Sequence, residues 1–459
     1  TNGMPLVYIK DGKVEYRTFV APAKEKPATP SFAFSFGNGN TGEYRDTWRV
    51  FRIMSEFVEG YQFLGEFHHE VTVFGSARLK PSNTYCKKAR SLGKMLAEGG
   101  YTTITGGGGG IMEAANRGAD EGGGESVGIN ILLPHEQRIN AYVKKSIALH
   151  YFFTRKVMFA TPAQAFVFFP GGYGTLDEFW EIIDLMDNGY LTQSPLILVG
   201  KKFWKPMIDW LPNNSVHILT PSEKKILASC HLVEDAEEAY EIVKNTKDVP
   251  KACELSPNTF SCEQELNWRI FRIMAEVVEG FDFLTGLVKD VTVLGTKGIS
   301  KLSPYYKAAE KFGTLAAKAG FSVITSGYSG IPEAANKGAF ENGGDSIGLY
   351  MRETNKNGKP NSYLSRSLSF TFPFTRKLVL TAPSKGFMMF PGGLGTLHQT
   401  MEVIELIQTH KIPPMPVVLY GSAFWNPFVS FIHEVLDKKF NVIHAEDAKL
   451  FTIVADPEE

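Results

Sequence analysis

Cysteine is scarce in this chain. There are four among 459 residues, Cys86, Cys230, Cys253 and Cys262, too few and too irregularly spaced for a disulfide framework or a four-ligand zinc site. They read as buried or incidental thiols in a reducing compartment, and the cytoplasm is the expected location. Long apolar runs are missing as well. None reaches the roughly 18–20 residues of a membrane span, and the N-terminus lacks a charged-then-apolar leader pattern. Net charge is close to absent, at −1, which argues against an electrostatic grip on nucleic acid or an anionic bilayer. Neither nucleic acid nor membrane is therefore expected as a partner, and a small ligand comes first.

What the chain does have is a repeat. WRVFRIMSEFVEG starts at Trp48 and WRIFRIMAEVVEG at Trp268, an offset of 220. VTVFG at Val71 returns as VTVLG at Val291, and EAANRGA at Glu113 as EAANKGA at Glu333. FTRK at Phe153 and Phe374, and PGG at Pro170 and Pro391, are offset by 221, so one residue was gained between Gly348 and Arg376. A period this long is a duplicated domain, each copy large enough to bury its own core. The expected organisation is an N-terminal arm over 1–46, a first domain over 47–246, a linker over 247–265 and a second domain over 266–459. The linker stretch NTKDVPKACELSPNTFSCE has two prolines and no apolar periodicity.

In each copy short β-branched runs alternate with amphipathic stretches. In the first copy VTVFG, YTTIT, SVGINIL, AFVFF and PLILV read as buried strands of a parallel sheet. The expected fold class is α/β, with two tandem Rossmann-like, doubly wound parallel-sheet domains forming a pseudo-dimer. Ligands of such folds sit at the carboxyl ends of the strands, and two of the loops expected there are glycine-rich. TGGGGGIMEAANRGA runs from a strand into a helix, which brings Gly107, Gly108 and Gly109 to a ligand, although a bare strand-to-helix turn explains a glycine run equally well.

The second loop, PGGYGT, leads into a helix expected from about Thr175, with Gly171, Gly172 and Gly174 freeing the backbone and Thr175 offering a hydroxyl to a phosphate. No Lys-Ser/Thr pair follows the glycines, so ATP hydrolysis is not expected. The first loop has no GxGxxG with an acid some 20 residues on, which disfavours a nicotinamide enzyme. Glu178 falls in the first turn of the helix expected after PGGYGT. It reads either as a solvated acid favoured by the helix dipole or as a functional group, since that helix end is already committed to an anion. Arg155, in FTRK, reads as a surface arginine with its stem over apolar neighbours or as a site residue, and its return as Arg376 favours the second.

These residues resemble the LOG family of nucleoside 5′-monophosphate phosphoribohydrolases, whose members often carry the label lysine decarboxylase. The family pattern is PGGxGTxxE after an Arg-Lys pair, and Pro170–Glu178 complete it; the likeness covers about 48–245 and, more weakly, 268 to the end. It implies hydrolysis of an N-glycosidic bond to free base and ribose 5-phosphate. It also implies that Gly171, Gly172, Gly174 and Thr175 hold the phosphate and that Arg155 and Glu178 are the catalytic pair. Ser76 and Arg78, after the first strand, are expected neighbours of the pocket. No metal-ligand cluster stands out, so the hydrolysis is expected to need no metal or cofactor. A pyridoxal-phosphate decarboxylase would need a lysine in a recognisable frame, and none is seen. A non-catalytic nucleotide or phosphorylated-cofactor carrier is the alternative, and Glu178 speaks against it. The second copy keeps Arg376, Gly392, Gly393, Gly395 and Thr396, but Gln399 stands where Glu178 would be and His398 where Asp177 would be. It is expected to be catalytically silent, with a partner surface as its main role. A nucleotide-binding regulatory role and further homo-oligomers stay open.

Overall fold

The computed structural model describes residues 5–10, 13–18, 42–133, 139–214, 219–246, 262–287, 289–352 and 358–455. Of the expected arm, 1–4, 11–12 and 19–41 lie outside the described residues, as does 247–261 of the expected linker. The chain divides into two compact units, Thr1–Ala33 and Phe34–Glu459. In the first, strands β1 (Pro5–Lys10) and β2 (Lys13–Thr18) pair antiparallel. The second contains both copies of the repeat.

The first copy runs α1 (Gly42–Leu64), β3 (Glu70–Phe74), α2 (Thr84–Glu98), β4 (Thr102–Thr105), α3 (Ile111–Glu121), β5 (Ser126–Ile131), β6 (Lys145–Leu149), α4 (Phe152–Ala160), β7 (Ala165–Phe168), α5 (Tyr173–Asp187), β8 (Leu196–Val199), α6 (Lys201–Asn214), α7 (Pro221–Ala228), β9 (His231–Val233) and α8 (Ala236–Lys244). Its seven strands are all parallel, in the order β6-β5-β4-β3-β7-β8-β9. The chain winds outward from β3 through β4, β5 and β6, then crosses back to β7 on the other side of β3. That reversal leaves a crevice beyond the carboxyl ends of β3 and β7, where doubly wound sheets bind ligands. Strands β3, β4, β5, β7 and β8 are buried along their whole length, as continuous apolar runs between helices require. The sequence did not mark β6 and β9. Both lie at sheet edges and are partly exposed, so they lack the unbroken apolar signal.

The second copy repeats the order with α9 (Cys262–Phe283), β10 (Asp290–Leu294), α10 (Pro304–Lys318), β11 (Ser322–Thr325), α11 (Ile331–Glu341), β12 (Ser346–Met351), β13 (Arg366–Phe370), α12 (Pro373–Thr381), β14 (Phe387–Met389), α13 (Leu394–Gln408), β15 (Val417–Tyr420), α14 (Ser422–Ser430) and, after further helical turns, β16 (Thr452–Val454). Its sheet is again seven parallel strands, β13-β12-β11-β10-β14-β15-β16. The extra residue falls between β12 and β13, because β5 and β12 are offset by 220 and β6 and β13 by 221.

Two details explain residues kept in both copies. Glu56, from the tryptophan-led repeat, caps the start of α4: it accepts hydrogen bonds from His150 N at 2.6 Å, Tyr151 N at 3.2 Å and the Thr154 hydroxyl at 2.6 Å. Glu276 does the same for α12 through Thr371 N, Phe372 N and the Thr375 hydroxyl. Each FTRK helix is thus fixed by a buried carboxyl about a hundred residues upstream, which satisfies its free N-terminal donors. In the EAAN repeat, Asn116 accepts from the Thr105 hydroxyl at 2.6 Å and donates to Ser126 Oγ at 2.9 Å, tying β4 and β5 to α3 behind the glycine loop.

The two copies pack on one another through α1 against α9 and α5 against α13. One continuous hydrophobic cluster, including Phe57, Phe159 and Trp180 from the first copy and Val379, Leu397 and Met401 from the second, spans both. Helix α5 is buried on nearly all sides from Tyr173 to Ile183, the mark of a helix with partners all round. It begins at Tyr173 rather than near Thr175, which puts Glu178 in the second turn and corrects the first-turn expectation. The dipole at the helix start therefore does not account for this acid.

Candidate active site

Three loops meet beyond the carboxyl ends of β3, β4 and β7, around a cavity of about 810 Å³. From the first copy, Ser76 and Arg78, Gly106, Gly108 and Gly109, Arg155, and Gly172, Gly174, Thr175 and Glu178 all line it. The residues singled out in the sequence thus converge on one space, with two exceptions. Gly107 turns away with φ of +70°, its Cα packed toward Asn130, and Gly171 backs onto the Thr175 side chain. Both shape the loops and do not line the cavity. Gly106 does line it, and a Cβ there would stand 2.4 Å from Arg155 Nη2.

Arg155 is not a surface arginine. Its Nε donates to Ile129 O at 2.9 Å, its guanidinium lies 4.8 Å from the Phe159 ring centroid, and it lines the cavity. Glu178 is buried, with 6% of its surface exposed. Burial pushes its carboxyl up, Lys156 pulls it back, and with Glu181 and Asp177 adding like charge the balance lies at about 8. A carboxyl poised to exchange a proton near neutral pH is what general acid–base chemistry needs.

Behind Glu178 lies a buried charge cluster shared by both copies. Lys156 Nζ stands 2.5 Å from Asp177, 3.2 Å from Glu181 and 3.8 Å from Glu402. Lys377 Nζ donates to Glu181 at 2.7 Å and lies 3.0 Å from His398 Nε2. Burial alone would lower the Lys156 ammonium, but Asp177, Glu181 and Glu402 outweigh it and hold the pKa well above the ordinary range.

Sequence reasoning missed the second copy's share of the cavity: Glu405, Gln408, Thr409, His410 and Val442. Contacts between segments more than 200 residues apart leave no local pattern. The only available signal was the repeat itself, which equates Glu405 with Asp184 on α5. Arg78 also reaches across, 3.6 Å from Asp447, and the Tyr173 hydroxyl donates to Asp447 O at 3.1 Å.

The equivalent cavity of the second copy is about 410 Å³, lined by Arg376, Gly393, Gly395, Thr396 and Gln399, with Gly392 outside it. It differs at two places. Tyr328, standing where the first copy has Gly108, bonds through its hydroxyl to the Met351 backbone. Glu223, from α7 of the first copy, accepts from Leu394 N at 3.0 Å and lies against Gly393. The first amide of α13 therefore already holds a carboxyl. At the corresponding Gly172, the neighbours are the Val442 carbonyl and Ile443.

The two described thiols, Cys86 and Cys230, are set apart from this chemistry. Burial pushes Cys86 up to about 11 and Cys230 up to about 12, so neither is a nucleophile at neutral pH. Among the described residues, no helix is long and apolar enough to cross a membrane.

The model of the family described as "Possible lysine decarboxylase" matches residues 112–243 and 333–459, one region in each copy. A cytokinin riboside 5′-monophosphate phosphoribohydrolase of Rhodococcoides fascians is 24% identical over 173 residues, covering 36% of this chain and 86% of that protein. The enzyme of the same name, LOG, from Oryza sativa subsp. japonica is 31% identical over 140 residues, 30% of this chain and 57% of that one, so the chain spans little more than half of the rice relative's length. Among solved structures, the molybdenum cofactor carrier protein MCP from Chlamydomonas reinhardtii is 23% identical over 39% of this chain and 96% of its own, with a TM-score of 0.29. Since the two matched regions together take in more than half of the sequence, one in each copy of the repeat, the chain belongs to the LOG family, carried here in tandem.

Proposed function

We propose that the first copy hydrolyses the N-glycosidic bond of a nucleoside 5′-monophosphate, releasing free base and ribose 5-phosphate. The observation that carries this is Glu178, a buried carboxyl that faces one cavity with Arg155 and the PGGYGT loop and that burial raises to about 8. In the reaction a water oxygen bonds to the anomeric carbon as the carbon–nitrogen bond breaks. The bonding pair leaves with the base, which takes up a proton from solvent, while the water's proton passes to Glu178 and from there back to solvent. Positive charge builds on the sugar in the transition state, and an ionised Glu178 stabilises it. The loop amides and Thr175 hold the phosphate, and Arg155 clamps the substrate. A carrier would gain nothing from a buried acid here, because it weakens the hold on an anion.

The test is a screen of ribo- and deoxyribonucleoside monophosphates for liberated base by liquid chromatography, each beside its nucleoside. Release from at least one monophosphate, with the nucleoside spared, is expected because only the former uses the loop's binding energy. No release from any would favour the carrier.

In this reading the second copy is silent and serves as an internal partner, the chain forming a pseudo-dimer. Glu223 fills the start of α13 where a phosphate would bind. Calorimetric titration with ribose 5-phosphate is expected to saturate at one equivalent per chain, and Glu223→Ala is expected to bring a second, weaker equivalent. The substitution also removes the capping box of α7, at a cost of about 1 kcal/mol. A second equivalent in the unaltered chain would show that the second loop is open after all.

A further inference from the structure

Glu405 belongs to the second copy and yet lines the first copy's cavity, with 8% of its surface exposed. A Cβ at Gly174 would stand 2.6 Å from Glu405 Oε1, so its carboxyl lies directly over the first turn of α5. There it adjoins the buried carboxyl of Asp177, whose like charge raises it, and two neighbouring carboxyls can share a hydrogen bond only with a proton between them. We propose that Glu405 is a positioning residue supplied by the second copy to the first copy's site, holding its proton against Asp177 so that an uncharged group faces the phosphate beside Gly174.

The charges around it require this. Asp177, Glu178, Glu181, Glu402 and Glu405 crowd one buried region, facing Lys156 from α4 and Lys377 from α12, with Arg155 at the cavity wall and His398 behind. The lysines are taken by Asp177, Glu181 and Glu402. Glu178 and Glu405, the two that face the cavity, have no lysine of their own, and crowded like charges in a dry region retain protons. Burial first, then Asp177, holds the Glu405 carboxyl well above the usual carboxylate range. An ionised Glu405 would compete with phosphate for the loop, as Glu223 does at Leu394. The second copy is thereby more than a surface, because the first site is incomplete without it.

The inference rests on the loop binding a phosphorylated sugar, and its test uses ribose 5-phosphate with the full chain, by calorimetry at pH 7 and pH 10. The unaltered protein is expected to lose at least tenfold in affinity between the two as Glu405 ionises. Glu405→Gln keeps shape and neutrality and is expected to bind within threefold of the parent at pH 7 and, keeping only the part of the loss that Glu178 causes, to lose at least threefold less than the parent at pH 10. Glu178 and the nearby Lys411 titrate in both proteins, so the difference isolates Glu405. The same alkaline loss in Glu405→Gln would overturn the inference. So would a tenfold loss at pH 7 in a variant with unchanged melting, since neutrality would then not be what matters. If the glutamine variant melts early, Glu405→Ala provides the same comparison, with weaker binding but the same reduced alkaline loss expected. Base release failing while these binding results hold would sink the proposed reaction and leave this inference standing.

Discussion

Glu178→Gln is expected to lower kcat for base release by about 10²–10⁴-fold, the usual worth of a positioned acid–base group, while ribose 5-phosphate binding stays within a few-fold. Glutamine fills the same buried volume on α5 and leaves the loop amides untouched, but it can neither accept the water's proton nor balance charge on the sugar. The parent's pH profile follows from the same residue. Its carboxyl is raised to about 8 and must be ionised to act as a base, so kcat/KM is expected to climb with pH up to about 8, before the loss of phosphate affinity expected at higher pH lowers it. In the variant, residual activity is expected to lack that climb. A variant within threefold of the parent, or a parent profile flat from pH 6 to 9, would remove Glu178 from the role of base.

Much of this site was legible in the sequence because it is built from contiguous loops. PGGYGT and its following acid, the glycine run and the FTRK arginine each occupy one short segment, and the rule that ligands gather at strand carboxyl ends brings them together. Two kinds of feature were not legible. Glycines that line a cavity and glycines that only shape a turn look alike in a string, so Gly107 and Gly171 passed as lining while Gly106 did not stand out. Contacts between the copies leave no periodicity, so Glu405 and Glu223 were invisible although they decide what each loop can hold. Edge strands β6 and β9 escaped for a third reason: partial exposure erases the apolar run that marks a buried strand.

Lys156→Met is expected to destabilise the chain by about 3–5 kcal/mol, the cost of leaving buried charge without its partner. The side chain is 2% exposed and faces Asp177, Glu181 and Glu402; methionine replaces its volume but none of its charge, leaving Lys377 alone among these carboxyls. The same count bears on His398, which stands where the first copy has Asp177: another carboxyl there would enter an interface already crowded with them, whereas His398 sits 3.0 Å from Lys377 and 3.4 Å from Asp184. Urea denaturation measures the loss, with the exposed Lys87→Met as a control expected to change stability by less than about 0.5 kcal/mol. Acid gives the sign. Glu181 is held below its ordinary value because Lys156, Lys377 and His398 outweigh burial, so its stabilisation is present above about pH 4, where an unfolded glutamate ionises, and is lost as pH falls toward its folded value. The deficit of Lys156→Met is therefore expected to be full at pH 7 and to shrink on acidification below about pH 4, as the parent loses the same pairing. A variant as stable as the parent at pH 7 would mean that the cluster carries protons in place of charge throughout, and that Lys156 does not hold the two copies together.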